Sequence, residues 1–187
     1  PISKLSSSSA ASDVYKRQIR GEIMLQQCCQ LLEDRQLKIA FIESASSGYL
    51  TSQFSIHKNS GADILLGGLV SYDPSIKISI LNIDPKLIET YTAESPQVTE
   101  EMCRLGQSLF QQADIIVSCT GLLKSGGSET PEKPVGTFFI CISYQQHIYH
   151  YRYFLSGHSE QKLKTLTQKV SDAIIALLTS TIKTDSP

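Results

Sequence analysis

The sequence predicts an α/β fold: a three-layer α/β/α sandwich built on one mixed sheet. Short apolar runs rich in β-formers alternate with segments of helical period, the pattern of a sheet covered by helices on both faces. Asp73-Pro74, Asp84-Pro85 and Ser95-Pro96 each pair a side-chain cap with a proline at the first helical position, so three helix starts are marked chemically. Two strand-like runs near the C-terminus are separated by only Gln145 and Gln146, which adds an antiparallel hairpin. At 187 residues the chain suits one domain that folds without disulfides or metal.

In chain order, residues 1–21 come first. Ser6 to Ser9 begins a low-complexity stretch without apolar period, and SAASDVYKRQ reads as translated adapter sequence. This segment is expected to be disordered or non-native, with a native start near Met24 and a domain over residues 22–183. Ile23, Met24, Cys28, Leu31 and Leu32 recur at helical spacing and predict a first helix. Leu37 to Ile42 predicts a strand that runs through Glu43-Ser44-Ala45-Ser46-Ser47-Gly48 into a helix over Tyr49 to Ile56. Ile64 to Tyr72 predicts a second strand, and the three proline-marked helices follow, the last reaching Gln112. Asp114 to Cys119 predicts a buried strand, Thr120 to Pro134 a Gly/Ser/Pro loop, and Val135 to Leu155 the hairpin. Leu163, Leu166, Val170, Ile174, Leu177 and Leu178 give the final helix one apolar stripe, which is core.

Composition narrows the function. No apolar run approaches the roughly 20 residues that a bilayer requires, which excludes a membrane span. The net charge is -1 and no Lys/Arg cluster stands ready to neutralise a phosphate backbone, so nucleic acid is not an expected partner. Cys28, Cys29, Cys103, Cys119 and Cys141 are scattered and form no CxxC pair, which fits buried thiols in a reducing cytoplasm rather than a disulfide frame or zinc site. The four histidines lack a partner at ligand spacing, and Tyr149, Tyr151 and Tyr153 alternate as one packing face of a strand.

In a layered α/β domain, sites form where strands end and helices begin, because backbone N–H groups point into that crevice. Two segments qualify here: the hydroxyl-rich turn from Glu43 to Gly48 and the loop from Thr120 to Gly136. Taken alone, the first is read by default as a capping turn and the second as a flexible surface loop. Their context adds Gly68-Leu69-Val70-Ser71-Tyr72 with Lys77, then Thr120-Gly121, Gly126-Gly127 and Pro131-Glu132-Lys133-Pro134-Val135-Gly136.

In this order and spacing the motifs resemble the CinA C-terminal domain family, over roughly Glu22 to Thr179. The family's turn reads E-S-C-T-G-G, and its loop ends in P-E-K-P-V-G. The resemblance implies deamidation of nicotinamide mononucleotide to nicotinate mononucleotide and ammonia, at a site with no metal and no cofactor. It implies Ser44 as nucleophile, with Tyr72 and Lys77 in the positions of the catalytic Tyr and Lys. A serine hydroxyl needs a base, and a desolvated lysine can serve. Substrate contacts are expected from Glu43, Ser46, Ser47, Gly48, Thr120, Gly121, Gly126, Gly127 and Lys133, with amides around Ser46 to Gly48 facing the oxyanion. The expected partners are a small-molecule nucleotide and a second copy of the chain.

The chain departs from the family pattern at Ala45, Ser46, Ser47, Leu122 to Ser125 and Gly157-His158-Ser159, where the family has G-D-R. Ser159 cannot replace an arginine as a phosphate ligand. Arg152, Lys124 and Lys133 are the alternative cations. These departures leave two further readings open: a member that binds a nucleotide-like ligand without efficient turnover or turns over a different amide, and a module whose long helices mediate oligomerisation.

Overall fold

A computed structural model describes residues 3–180, with side chains from residue 19 onward. The elements run α1 (Ser3–Asp34), β1 (Ile39–Glu43), α2 (Tyr49–His57), β2 (Leu65–Val70), α3 (Pro74–Ser79), α4 (Pro85–Tyr91) and α5 (Pro96–Leu109), followed by β3 (Ile115–Gly121), β4 (Thr137–Tyr144), β5 (His147–Phe154) and α6 (Ser159–Ser180). The sheet order is β2-β1-β3-β4-β5. β1 pairs in parallel with β2 and β3, while β3/β4 and β4/β5 are antiparallel, which is the mixed sheet the sequence predicts. The expected unstructured or non-native segment over 1–21 falls partly outside the described residues, and from Ser3 the backbone is already helical. Nothing from Ser3 to Arg20 breaks a helix, since neither Pro nor Gly occurs there.

Alternation along the strands divides the core between the two faces of the sheet. Ile39 and Phe41 of β1, with Ile115, Val117 and Cys119 of β3, pack on Leu32 of α1, Phe54 of α2, and Leu166 and Ile174 of α6. On the opposite face Ala40, Ile42 and Ile116 meet Leu81, Ile83, Val98 and Met102 from the α3–α5 region. All three proline-marked starts form as expected, with Asp73, Asp84 and Ser95 each accepting a backbone N–H at the N-cap. The hairpin turn also forms where the sequence places it. Gln145 (φ 48) and Gln146 (φ 64) adopt the left-handed geometry usually given to Asn-Gly. Among the described residues, no helix is long and apolar enough to cross a membrane.

Candidate active site

The connection from β1 leaves on the α2 side of the sheet, whereas the connection into β3 arrives from the α3–α5 side. The crevice beyond the carboxyl ends of these neighbouring strands is thus a topological switch point, where α/β sheets bind ligands. Glu43 closes β1, and the chain turns there so that consecutive side chains face opposite layers.

Ser44 falls on the α5 side. Its hydroxyl accepts a hydrogen bond from the Lys77 ammonium at 2.9 Å, and its backbone N–H donates to Cys119 O at 2.9 Å. Lys77 enters from α3 and is fully buried, while Ser44 is only 6% exposed. The other two donors of Lys77 go to the carbonyls of Ser71, at 2.5 Å, and Tyr72, at 3.3 Å. Burial pushes the Lys77 pKa down to about 8, against the charges of Glu94 and Asp73, which favour the proton. A lysine so placed holds a useful neutral fraction near neutral pH, and its amine already touches the serine oxygen.

Tyr72 reaches this pair differently from the expectation. Its carbonyl, not its phenol, contacts Lys77, and the residue is 67% exposed at the end of β2. The alternation that buries Ser71 turns the next side chain outward.

Glu43 faces the other layer. It is fully buried and accepts from the N–H groups of Gly48, Leu50 and Thr51 and from the Thr51 hydroxyl, at 2.6–3.0 Å. It therefore serves as the missing side-chain cap of α2, whose N-cap is Gly48, and its lone pairs are occupied without a substrate. Ser47 takes a left-handed conformation (φ 53) where the resemblance expects glycine, and its N–H donates to Ser44 O. The amides of Ser47 and Gly48 are thus occupied, contrary to the expected oxyanion role. Ser46 is buried with its hydroxyl against the Cys119 thiol, without an oxygen or nitrogen partner. Directly after Ser44, the Ala45 N–H has no hydrogen-bond acceptor among the described residues.

The second segment contributes structure more than open donors. Thr120 is buried, and its hydroxyl meets that of Thr99 at 2.7 Å. Thr99 in turn donates to Ser95 O, which links the floor of the crevice to the start of α5. A Cβ on Gly121 would lie 2.7 Å from Thr137 O, so glycine there answers the crossing of strands. Gly126 and Gly127 both donate their N–H groups to the Glu129 carboxylate at 2.8 Å, an internal anion in the place expected for substrate. Lys133 donates to the hydroxyls of Thr92 and Ser128 and to Glu94 O, at 2.7–2.9 Å.

Of the alternative cations, Arg152 donates to Glu132 O and lies 5.7 Å from the Phe139 ring centre, while Lys124 is exposed. Sequence reasoning missed Ser71, Thr92, Glu94, Thr99, Ser128 and Lys162, the last holding Leu123 O at 3.0 Å from α6. Ser71 stands in the Gly68–Tyr72 motif with no role assigned to it there; no motif spacing marks the other five, which only the fold brings together. Pockets of about 620 and 860 Å³ open elsewhere on the surface, and neither is lined by Ser44 or Lys77.

A layered α/β domain with a buried serine–lysine pair at its switch point is the class that fold and site define. The CinA C-terminal domain family model matches residues 22–180, and the chain belongs to that family. A CinA-like protein of Chlorobaculum tepidum is 42% identical over 113 residues, covering 60% of this chain and 25% of that protein. One from Thermotoga maritima is 34% identical over 130 residues, covering 70% and 31%. The chain thus matches a quarter to a third of these longer relatives. Among solved structures, a competence or damage-inducible protein from Enterobacter asburiae superposes with a TM-score of 0.77 at 22% identity, covering 84% of this chain and 98% of that one. A CinA superfamily protein from Klebsiella pneumoniae gives 0.78 at 19%, covering 86% and 98%, and both show the shared fold.

Proposed function

We propose that the chain is an amide hydrolase that deamidates nicotinamide mononucleotide, with Ser44 as nucleophile and Lys77 as base. The family's activity suggests the substrate. The observation that carries the chemistry is the 2.9 Å contact between the Ser44 hydroxyl and a buried lysine amine whose pKa is about 8. In the neutral form Lys77 takes the Ser44 proton as Oγ bonds to the carboxamide carbon, and the carbonyl oxygen becomes an oxyanion. The Ala45 N–H, next after the nucleophile, has no acceptor of its own among the described residues and is the donor assigned to that oxyanion. Lys77 then gives its proton to the leaving nitrogen, the C–N bond breaks and ammonia departs. Water, deprotonated by Lys77, attacks the resulting ester, and Ser44 recovers its proton. The carbonyls of Ser71 and Tyr72 aim the amine throughout.

The test is ammonia release from nicotinamide mononucleotide by the wild type and by Ser44→Ala. Release that vanishes in the variant supports the reading. Tyr72→Phe is expected to keep most of the turnover, because the contact with Lys77 runs through the backbone. A loss as deep as that of Ser44→Ala would return the phenol to the mechanism.

The occupied amides of Ser47 and Gly48 favour a second reading, a nucleotide-binding member without efficient turnover. It predicts thermal stabilisation by the nucleotide with no ammonia, since a ligand of the native state raises apparent stability.

A further inference from the structure

We infer that Lys133 is a positioning residue that clamps the 121–136 loop onto the Thr92–Ser95 link beside the Ser44–Lys77 pair, and is not itself a substrate ligand. The kinetic side of this inference rests on the hydrolase reading above; the clamp itself does not.

Four observations converge. All three partners of the Lys133 ammonium are the protein's own: Thr92 Oγ1, Ser128 Oγ and Glu94 O. An ammonium has three protons to donate, so this set leaves it none for a phosphate. The Ser128 hydroxyl donates to the Glu94 carboxylate at 2.6 Å and accepts from Lys133, so loop and link are joined twice over.

Thr92 has φ 69 and ψ 158, a region that β-branched residues avoid. A strained residue persists only when its surroundings hold it, and here the Lys133 amine and the Ser128 hydroxyl both reach its Oγ1. Finally, the clamped link runs straight into the chemistry. Ser95 caps α5, Thr99 donates to Ser95 O, and Thr120 meets Thr99 on the strand whose Cys119 carbonyl holds the Ser44 amide.

Two other cations tether the same loop through backbone carbonyls, Lys162 at Leu123 and Arg152 at Glu132. Neither reaches the Thr92–Ser95 link. Lys133 therefore has the distinct task of fixing the glycine loop relative to the crevice.

The test compares Lys133→Met, Lys133→Arg, Ser128→Ala and the double variant Lys133→Met/Ser128→Ala in two ways. First is limited trypsin digestion at Lys124, an exposed site in the loop. The Lys133-Pro134 bond resists trypsin, so the substitution does not alter the cleavage map. Lys133→Met and Ser128→Ala are expected to be cut faster at Lys124, the double variant no faster than Lys133→Met, and Lys133→Arg near the wild-type rate. Second are kinetics with nicotinamide mononucleotide and with its dephosphorylated nucleoside. Loss of a charge-assisted bond corresponds to about a tenfold effect. It is expected in KM far more than in kcat, equally for both substrates, and reproduced in part by Ser128→Ala.

A KM effect confined to the phosphorylated substrate, with loop cleavage unchanged, would overturn the clamp and make Lys133 a phosphate ligand. If the wild type releases no ammonia, the hydrolase reading fails and the cleavage rates alone decide. Should Lys133→Met fail to fold, Ser128→Ala and Lys133→Arg carry the same comparison.

Discussion

On the proposed hydrolase reading, Lys77 is the residue at which stability and chemistry pull in opposite directions. Its pKa stands at about 8 in the fold against an ordinary 10.5. The folded chain therefore binds fewer protons than the unfolded chain between those values, so this group destabilises the fold below about pH 8 and the cost fades as pH rises towards 10.5. The whole shift corresponds to about 3 kcal/mol. The buried thiols act with the opposite sign, since burial raises the pKa of each cysteine, so wild-type stability alone would blur the effect. The expected outcome concerns a difference: Lys77→Met gains on the wild type in urea denaturation at pH 7, and the gain shrinks by pH 10. A gap independent of pH would mean that the ammonium carries no desolvation cost. Activity should show the mirror image, with kcat/KM rising through about pH 8 as the amine becomes neutral. Glu94→Gln removes a charge that holds the proton on Lys77, so it should move that inflection to lower pH. The pair itself was legible, because Ser44 and Lys77 stand in recognisable motifs. The roles of Glu43 and Tyr72 were not, since a motif names the residues of a strand end without saying which layer each side chain meets. One step of alternation sends Ser44 to the crevice and Glu43 to the start of α2.

Elements were legible in proportion to the local chemistry that marks them. The Asp-Pro and Ser-Pro starts appear where their caps dictate, within the first turn of α3, α4 and α5. The α2 start is different, because its cap is a carboxylate five or more residues upstream and no cap signal precedes the helix. Glu43→Gln is therefore expected to melt early. An amide cannot accept all four donors, and losing buried bonds to a charged group costs about 2–4 kcal/mol, or several degrees in Tm. Thermal denaturation checks this; an unchanged Tm would deny Glu43 its capping role. The β4–β5 turn offers the converse. Gln145 and Gln146 bear φ values of 48 and 64, and a turn with positive φ at both positions prefers Asn-Gly. Replacing them by Asn and Gly should stabilise the fold by about 1 kcal/mol, read as a rise in Tm of roughly 2–4 °C. A lower Tm would show that the glutamine side chains contribute more than their backbone strain costs.

At the scale of the molecule, the layer architecture follows from alternating periods, but the strand order does not. Nothing local says that β1 lies between β2 and β3; that order arises because the helical connections leave on opposite faces and only one packing buries both apolar sides. The Thr92–Lys133 clamp was illegible for the same reason, since its members lie 41 residues apart and meet only after the sheet is assembled. The order also sets where the fold is hardest to open. β1 and β3 are hydrogen-bonded on both sides, and their residues from Ile39 to Ile42 and Ile115 to Val117 are at most 1% exposed. β2 and β5 are edges, with Val70 and Phe154 open to solvent at 44% and 67%. An edge amide can exchange after one local separation, whereas a central amide requires both flanking pairings and both helical layers to give way. Hydrogen exchange should therefore find the amides of β1 and β3 protected up to the global unfolding free energy and those of β2 and β5 released earlier. Such a gradient places Thr120 on one of the most rigid strands and Ser44 directly after the other, while Tyr72 follows an edge strand. If β1 exchanges as fast as β2, the crevice is not held by the sheet, and the preorganisation that the serine–lysine contact requires must come from elsewhere.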